Sequence, residues 1–188
     1  MSTSDRTRVI RIAGILIVLL ALGSALLPMA RHIPGRTVVG LMLMAAGAIE
    51  LFAVFARRGH HIPAGIAAAA SLLAGLRLAL DPGANFFTVL NLVILWLVVR
   101  AGALLVSAFG SPRPLCNWVY FASAVDFLLA VLLLGGLPVA VLVYGLFGTT
   151  SDIVATFAWI LAVSFVAAGL LLIAAAPLEA SESDGPRR

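Results

Sequence analysis

The sequence predicts an all-α protein, an integral membrane bundle of six transmembrane helices built as three repeated helical hairpins. Hydrophobic residues make up 63% of the 188-residue chain and charged residues 11%, compared with about 25% charged residues in soluble domains. The apolar residues lie in continuous runs of roughly 20 residues, a length that crosses the hydrocarbon core of a bilayer. Proline and glycine also recur at similar intervals along these runs, as expected for an internal repeat.

Six apolar runs define a single predicted transmembrane domain, which covers residues 9–176. In chain order the predicted helices span 9–27, 37–56, 62–80, 86–108, 117–137 and 153–175. Taken in pairs, they form the hairpins 9–56, 62–108 and 117–175. The N-terminal tail, 1–8, is short, and the Ser-, Glu- and Gly-rich C-terminal tail, 177–188, is predicted to be disordered.

The first run, 9–27, follows a basic stretch and could be mistaken for a signal peptide. It is long for a signal core and belongs to the repeat, so we interpret it as a retained helix. Pro28 follows it, because proline cannot continue the hydrogen bonding of a helix. The second run, 37–56, completes the first hairpin.

The four later runs repeat this arrangement. Pro82 and Pro138 follow the third and fifth runs as Pro28 follows the first, at intervals of roughly 55 residues. The helix after each proline contains one of Gly47, Gly102 and Gly169. The third connection is longer, and we interpret its apolar segment, 139–152, as an interfacial or re-entrant segment. The alternative is a longer fifth helix with a kink at Pro138.

The arginines predict the orientation, since cytoplasmic loops carry the excess of basic residues. All 12 basic residues are arginine, and the net charge is +4. One set of loops and tails contains Arg6, Arg8, Arg11, Arg57, Arg58, Arg113, Arg187 and Arg188, and the opposite set contains Arg31 and Arg36. Both termini are therefore predicted to be cytoplasmic. Arginines at the ends of apolar runs indicate topology, so no nucleic acid is expected as a partner.

No catalytic motif is present in the sequence: it lacks a nucleophile elbow, a phosphate-binding loop and metal-ligand spacing. The chain has only three histidines, and its single cysteine, Cys116, excludes an intramolecular disulfide. We therefore predict a protein that is not an enzyme and has no metal and no cofactor. Its expected partner is the lipid bilayer, with a second copy of the chain or an envelope protein left open.

Ionisable residues inside the predicted helices are the candidate functional residues, because each costs about 2.5–3.5 kcal/mol at mid-membrane. Glu50, Arg100 and Asp126 share a layer roughly 9–14 Å from the cytoplasmic side at ~1.5 Å per residue. Small residues share their helix faces, which predicts that these charges point into the bundle. Arg77 instead lies near the outer end of its helix, one turn before Asp81, and these two are predicted to pair.

Three interpretations of this charged layer stay open. In the first, Arg100 pairs with Asp126 and fixes helix register, with Glu50 as a second partner or a protonated neighbour. In the second, the same residues form a proton-responsive or ion-coordinating site. In the third, their side chains face lipid and snorkel to the membrane surface. The sequence does not separate a structural ion pair from a functional one.

Two stretches carry a resemblance to a known family. VVGLMLMAAGAIELFAVFARRGHH, 38–61, and NWVYFASAVDFLLAVLLLGGLP, 117–138, resemble the HdeD family of bacterial acid-resistance membrane proteins. Trp118, Asp126 and Pro138 match the pattern of the family's fifth helix. The resemblance implies a non-enzymatic protein of the bacterial inner membrane, linked to acid or envelope stress. The alternative is a small transporter or proton or ion channel that uses the Glu50, Arg100 and Asp126 layer.

Overall fold

The computed structural model describes residues 3–26, 35–56, 61–81, 86–111, 113, 115–135 and 153–183. In these ranges the chain is all-helical, with six helices and no strand, which confirms the predicted all-α class. The helices are α1 (Thr3–Leu26), α2 (Gly35–Ala56), α3 (His61–Leu80), α4 (Phe86–Phe109), α5 (Leu115–Leu134) and α6 (Ile153–Ser183).

Four stretches of these helices are long and apolar enough to cross a membrane. They are Ile62–Leu80, Thr88–Phe109, Leu115–Leu134 and Trp159–Pro177, in α3 to α6. Helix α2 contributes a shorter apolar stretch, Val39–Phe55. Length and hydrophobicity therefore define a membrane-spanning protein, whereas the six-span arrangement of three repeated hairpins stays a prediction.

The terminal helices are longer than the apolar runs that predict them. Helix α1 begins at Thr3, inside the predicted tail, and Asp5 in its first turn suits the positive end of the helix dipole. Helix α6 continues through Pro177 to Ser183, where the sequence predicts disorder. Leucine, alanine and glutamate after Pro177 are good helix formers, so polarity there does not end the helix. Residues 184–188 lie outside the described part.

Some repeat features fall outside the described residues. These are the three prolines, Pro28, Pro82 and Pro138, and the connecting segment 139–152. Among the repeat glycines, Gly47 contacts α3 and Gly169 contacts α1, but a Cβ on Gly102 would meet no described atom within 4 Å. The three glycines therefore do not occupy equivalent packing positions.

The helices form a closed ring in which each packs against its neighbours in the chain and α6 returns to α1. The most extensive contacts join α1 with α6, α2 with α3, and α4 with α5. The two helices of each predicted hairpin pack less extensively against each other. Helix α6 also contacts α2, which brings it toward the middle of the bundle.

Glycines permit the closest of these approaches, as small residues do at helix interfaces in membranes. A Cβ on Gly75 would lie 2.6 Å from the Met44 backbone nitrogen and 2.7 Å from the Gly40 carbonyl oxygen. Across the α1–α6 contact, a Cβ on Gly169 would lie 2.7 Å from the Gly14 carbonyl oxygen. Neither position has room for a side chain while the helices keep their spacing.

The distribution of polarity suits a lipid environment. Large apolar side chains cover the outside, including Phe52, Phe55, Leu73, Phe127 and Leu128, which are 58–79% exposed. The buried polar and charged residues of the described part are Glu50, Ser71, Arg100, Ser123, Asp126 and Ser164. This arrangement places the polar groups where they find partners inside the protein, since lipid supplies none.

Candidate functional site

The structure brings together the three residues of the predicted charged layer and adds a fourth that the sequence analysis missed. Glu50 from α2, Arg100 from α4, Asp126 from α5 and Ser164 from α6 form one connected group, which we call the charged cluster. Four helices supply one residue each, so the cluster exists only when the bundle is assembled.

Hydrogen bonds through the Arg100 guanidinium connect the cluster. Arg100 donates from Nη2 to Glu50 Oε1, and from Nη1 to Ser164 Oγ at 2.8 Å. Ser164 Oγ in turn donates to Asp126 Oδ1 at 2.5 Å. The direct contact between Arg100 Nε and Asp126 Oδ2 is 3.7 Å, which is an ion pair but too long for a hydrogen bond.

The order of partners differs from the prediction. The sequence predicts that Arg100 pairs first with Asp126, with Glu50 as a second partner or a protonated neighbour. In the structure Glu50 receives the direct hydrogen bond, whereas Asp126 is hydrogen-bonded to Ser164. Depth along a helix places a residue in a layer, but rotation about the helix axis decides which carboxylate reaches the guanidinium.

All three charged residues are removed from solvent. Arg100 and Asp126 are each 1% exposed and Glu50 is 9% exposed. Buried charges are costly unless they are paired, because the low-polarity surroundings do not replace their hydration. The charged cluster supplies that pairing, but it holds two carboxylates and one guanidinium.

Two aromatic rings flank the guanidinium. The Arg100 Cζ atom lies 5.5 Å from the Trp96 ring centroid and 5.1 Å from the Phe165 ring centroid. Both distances are within the range of cation–π attraction. The Trp96 Nε1 group donates to Ser71 Oγ at 2.9 Å, and Ser71 donates to the Ala67 carbonyl oxygen at 3.2 Å. The tryptophan is thereby held between α3 and the cluster.

Two atoms of the cluster lack a hydrogen-bond partner among the described residues. They are Glu50 Oε2 and Arg100 Nε, and both are buried. A cavity of about 40 Å³ lies beside the cluster and is lined by Glu50, Arg100 and apolar side chains of α2, α3, α4 and α6. Glu50 Oε2 and Arg100 Nε are therefore exceptions to the rule that buried polar atoms are hydrogen-bonded.

The predicted outer ion pair is present at the C-terminal end of α3. Arg77 Nη1 lies 2.8 Å from Asp81 Oδ2, and the two side chains are 58% and 30% exposed. A groove of about 320 Å³ beside them is lined also by Thr88, Asn91 and Leu95 of α4. Exposed pairs of this kind contribute roughly 0–1 kcal/mol to stability. This pair therefore lies apart from the buried cluster and matters little for the stability of the fold.

Three contributors were missed by the sequence analysis: Ser164, Trp96 and Phe165. Ser164 carried a usable signal, because it is the only hydroxyl residue between Trp159 and Pro177. The two aromatic residues carried none, since aromatic side chains are common in apolar helices. Within the described ranges, no group of three His, Cys, Asp or Glu side chains is placed to hold a metal ion.

The fold and the cluster define a class: an all-helical protein with membrane-spanning helices and a buried ionic centre. Comparison of the chain with protein-family models, with curated proteins and with solved structures found no match. The charged cluster is therefore the feature of the molecule from which a function can be inferred.

The hydroxyl bridge gives a first prediction. Ser164→Ala removes the acceptor for Arg100 and the donor for Asp126 together, so we expect a loss of about 1–3 kcal/mol in the free energy of unfolding. Unfolding in mixed detergent micelles measures this loss of stability. Ser123→Ala is the matched control, because Ser123 is also buried but donates only to the Ala101 carbonyl oxygen at 2.8 Å. Equal losses in the two variants would mean that the bridge has no special importance.

Proposed function

We propose that this chain is a non-enzymatic protein of the bacterial inner membrane that acts in acid or envelope stress, with the charged cluster as its proton-responsive centre. Both termini face the cytoplasm in this proposal, and the six helices cross the membrane. The protein's main partner is the lipid bilayer, and it acts either on proton leak or through an envelope protein or a second copy of itself.

The observation that carries the proposal is the charge imbalance of the buried cluster. Glu50 and Asp126 share one counter-charge, Arg100, and all three are buried. With every group ionised the cluster has a net charge of −1 in surroundings that penalise charge. Binding of one proton to a carboxylate makes it neutral. A fall in pH therefore favours a different charge state and a different hydrogen-bond pattern inside the bundle.

The family resemblance supports the biological setting. The stretches that resemble the HdeD family, 38–61 and 117–138, contain Glu50 and Asp126, the two carboxylates of the cluster. A purely structural cluster is the competing interpretation, in which the charges fix helix register and no proton is exchanged. The two interpretations predict different effects when a carboxylate of the cluster is replaced by a neutral amide.

Acid survival tests the proposal. Glu50→Gln keeps the shape and the acceptor oxygen for Arg100 but cannot exchange a proton. In a strain lacking the gene, we expect the wild-type protein to restore survival at low pH. At equal protein level in the membrane, survival with Glu50→Gln should be at least tenfold lower. Asp81→Asn is the control, since it removes a carboxylate outside the cluster. Full protection by Glu50→Gln would favour the structural interpretation.

A small transporter or proton channel is the second candidate, favoured by the cavity beside Glu50 and Arg100. A pathway needs water or polar groups on both sides of the cluster. Proton flux into liposomes containing the purified protein decides this point. Flux above that of empty vesicles, and its loss in Glu50→Gln, would favour the channel over the stress protein without conduction.

A further inference from the structure

The cavity next to the charged cluster extends to one side of it. Three of its lining residues lie one helical turn after a cluster residue: Val54 after Glu50, Leu104 after Arg100, and Ala168 after Ser164. Helix α3 runs antiparallel to α2 and contributes Ala64 and Ala67 from its first turns. The cavity therefore points to the end of the bundle where α2 and α4 end and α3 begins.

The other side of the cluster is packed. Trp96 precedes Arg100 by one turn and is 2% exposed, and its ring centroid lies 5.6 Å from that of the buried Phe165. The hydrogen bond from Trp96 to Ser71 fixes this ring against α3. Leu43 and Val93, farther along the same direction, are completely buried. Aromatic and aliphatic side chains thus close the space that would connect the cluster to the opposite end.

The two carboxylates of the cluster are not equivalent toward the cavity. Glu50 lines the cavity, and its Oε2 atom is buried without a hydrogen-bond partner among the described residues. Asp126 is not among the lining residues, and its Oδ1 atom accepts the short hydrogen bond from Ser164. A cavity of about 40 Å³ has room for roughly three water molecules at 10–15 Å³ each.

We propose that this cavity holds water and is a one-sided path by which a proton reaches Glu50, the carboxylate of the cluster that exchanges it. The inference rests on the proposed function in taking the cluster to be proton-responsive. The proton passes from water to Glu50 Oε2, which becomes a neutral carboxyl group, while Arg100 keeps its charge. Among the described residues, the ionisable groups that act on Glu50 are Arg100 from α4 and Asp126 from α5. The described residues of α3 and α6 that face it offer only serine and apolar side chains.

One-sided access gives the first experiment, in which buried cysteines are tested with silver ions. In a Cys116→Ser background, Ala168→Cys places a thiol in the cavity, and Ala46→Cys places a matched buried thiol one turn before Glu50 on the packed side. Arg113→Cys marks the end of the bundle toward which the cavity points. Sealed vesicles of both orientations are treated with silver nitrate, and thiols that remain free are counted by maleimide labelling after denaturation.

We expect silver to block Ala168→Cys from the same side as Arg113→Cys, and to leave Ala46→Cys free from both sides. If Ala168→Cys stays free from both sides, the cavity is dry and the proposal is wrong. If Ala46→Cys is blocked from the opposite side, water crosses the whole bundle and access is not one-sided. Leu104→Cys repeats the cavity test should Ala168→Cys fail to fold.

Infrared spectroscopy identifies the carboxylate that exchanges the proton. On acidification of the wild-type protein in vesicles the exposed carboxylates also become protonated, so we expect the band of the buried carboxyl group as one component among several growing carbonyl bands. That band should be absent in Glu50→Gln and present in Asp126→Asn. A band that is lost in Asp126→Asn instead, or that persists in both variants, would overturn the assignment to Glu50. If the Glu50 band grows but the strain with Glu50→Gln survives acid fully, Glu50 does exchange the proton and only the proposed function is wrong.

Discussion

Arg100→Met is expected to destabilise the protein by about 3–5 kcal/mol, more than any other single substitution in the charged cluster. Methionine is shorter than arginine but is unbranched and fits among apolar neighbours, and it leaves Glu50 and Asp126 buried without a counter-charge. Arg100 is also the donor to both Glu50 and Ser164, so the hydrogen-bond network is broken at its centre. The measurement is the free energy of unfolding in mixed detergent micelles, supported by protein level in the membrane.

Two further variants separate charge from packing in this prediction. Arg77→Met removes an arginine from an exposed ion pair and should change stability by less than about 1 kcal/mol. The triple variant with Arg100→Met, Glu50→Gln and Asp126→Asn removes all three charges and should recover part of the lost stability, because a buried neutral amide costs less than a buried carboxylate without a counter-charge. Wild-type stability of Arg100→Met alone would show that the carboxylates do not depend on the guanidinium.

Gly75→Ala and Gly102→Ala are expected to have opposite effects although the chemical change is the same. At Gly75 the new methyl group would lie 2.6 Å from the Met44 backbone nitrogen, so α2 and α3 must separate. Such overpacking costs typically about 1–3 kcal/mol. At Gly102 no described atom lies within 4 Å of the new methyl group. There the higher helix propensity of alanine should add up to about 1 kcal/mol of stability.

Thermal unfolding of the two variants in the same detergent provides the comparison. A lower Tm for Gly75→Ala and an equal or higher Tm for Gly102→Ala is the expected result. Equal decreases would contradict the close α2–α3 contact, because they would mean that glycine is needed for a reason common to both sites.

The sequence was sufficient for features that depend on composition or on neighbouring residues. Long apolar runs must be helical in lipid, because a helix satisfies its backbone hydrogen bonds within one segment. The Arg77–Asp81 pair follows from the i, i+4 spacing on one helix. The depth of Glu50, Arg100 and Asp126 follows from the rise per residue, and the structure does bring these three together.

Tertiary structure alone decided how the helices meet. The most extensive contacts join α1 with α6, from opposite ends of the chain, and α2 with α3, rather than the two helices of a predicted hairpin. It also decided that Glu50 binds Arg100 directly, that Ser164 bridges to Asp126, and that a cavity lies on one side of them. Sequence spacing fixes the height of a residue along its own helix. The rotation and separation of different helices depend on side chains from all of them packing at once, and no single stretch of sequence contains that information.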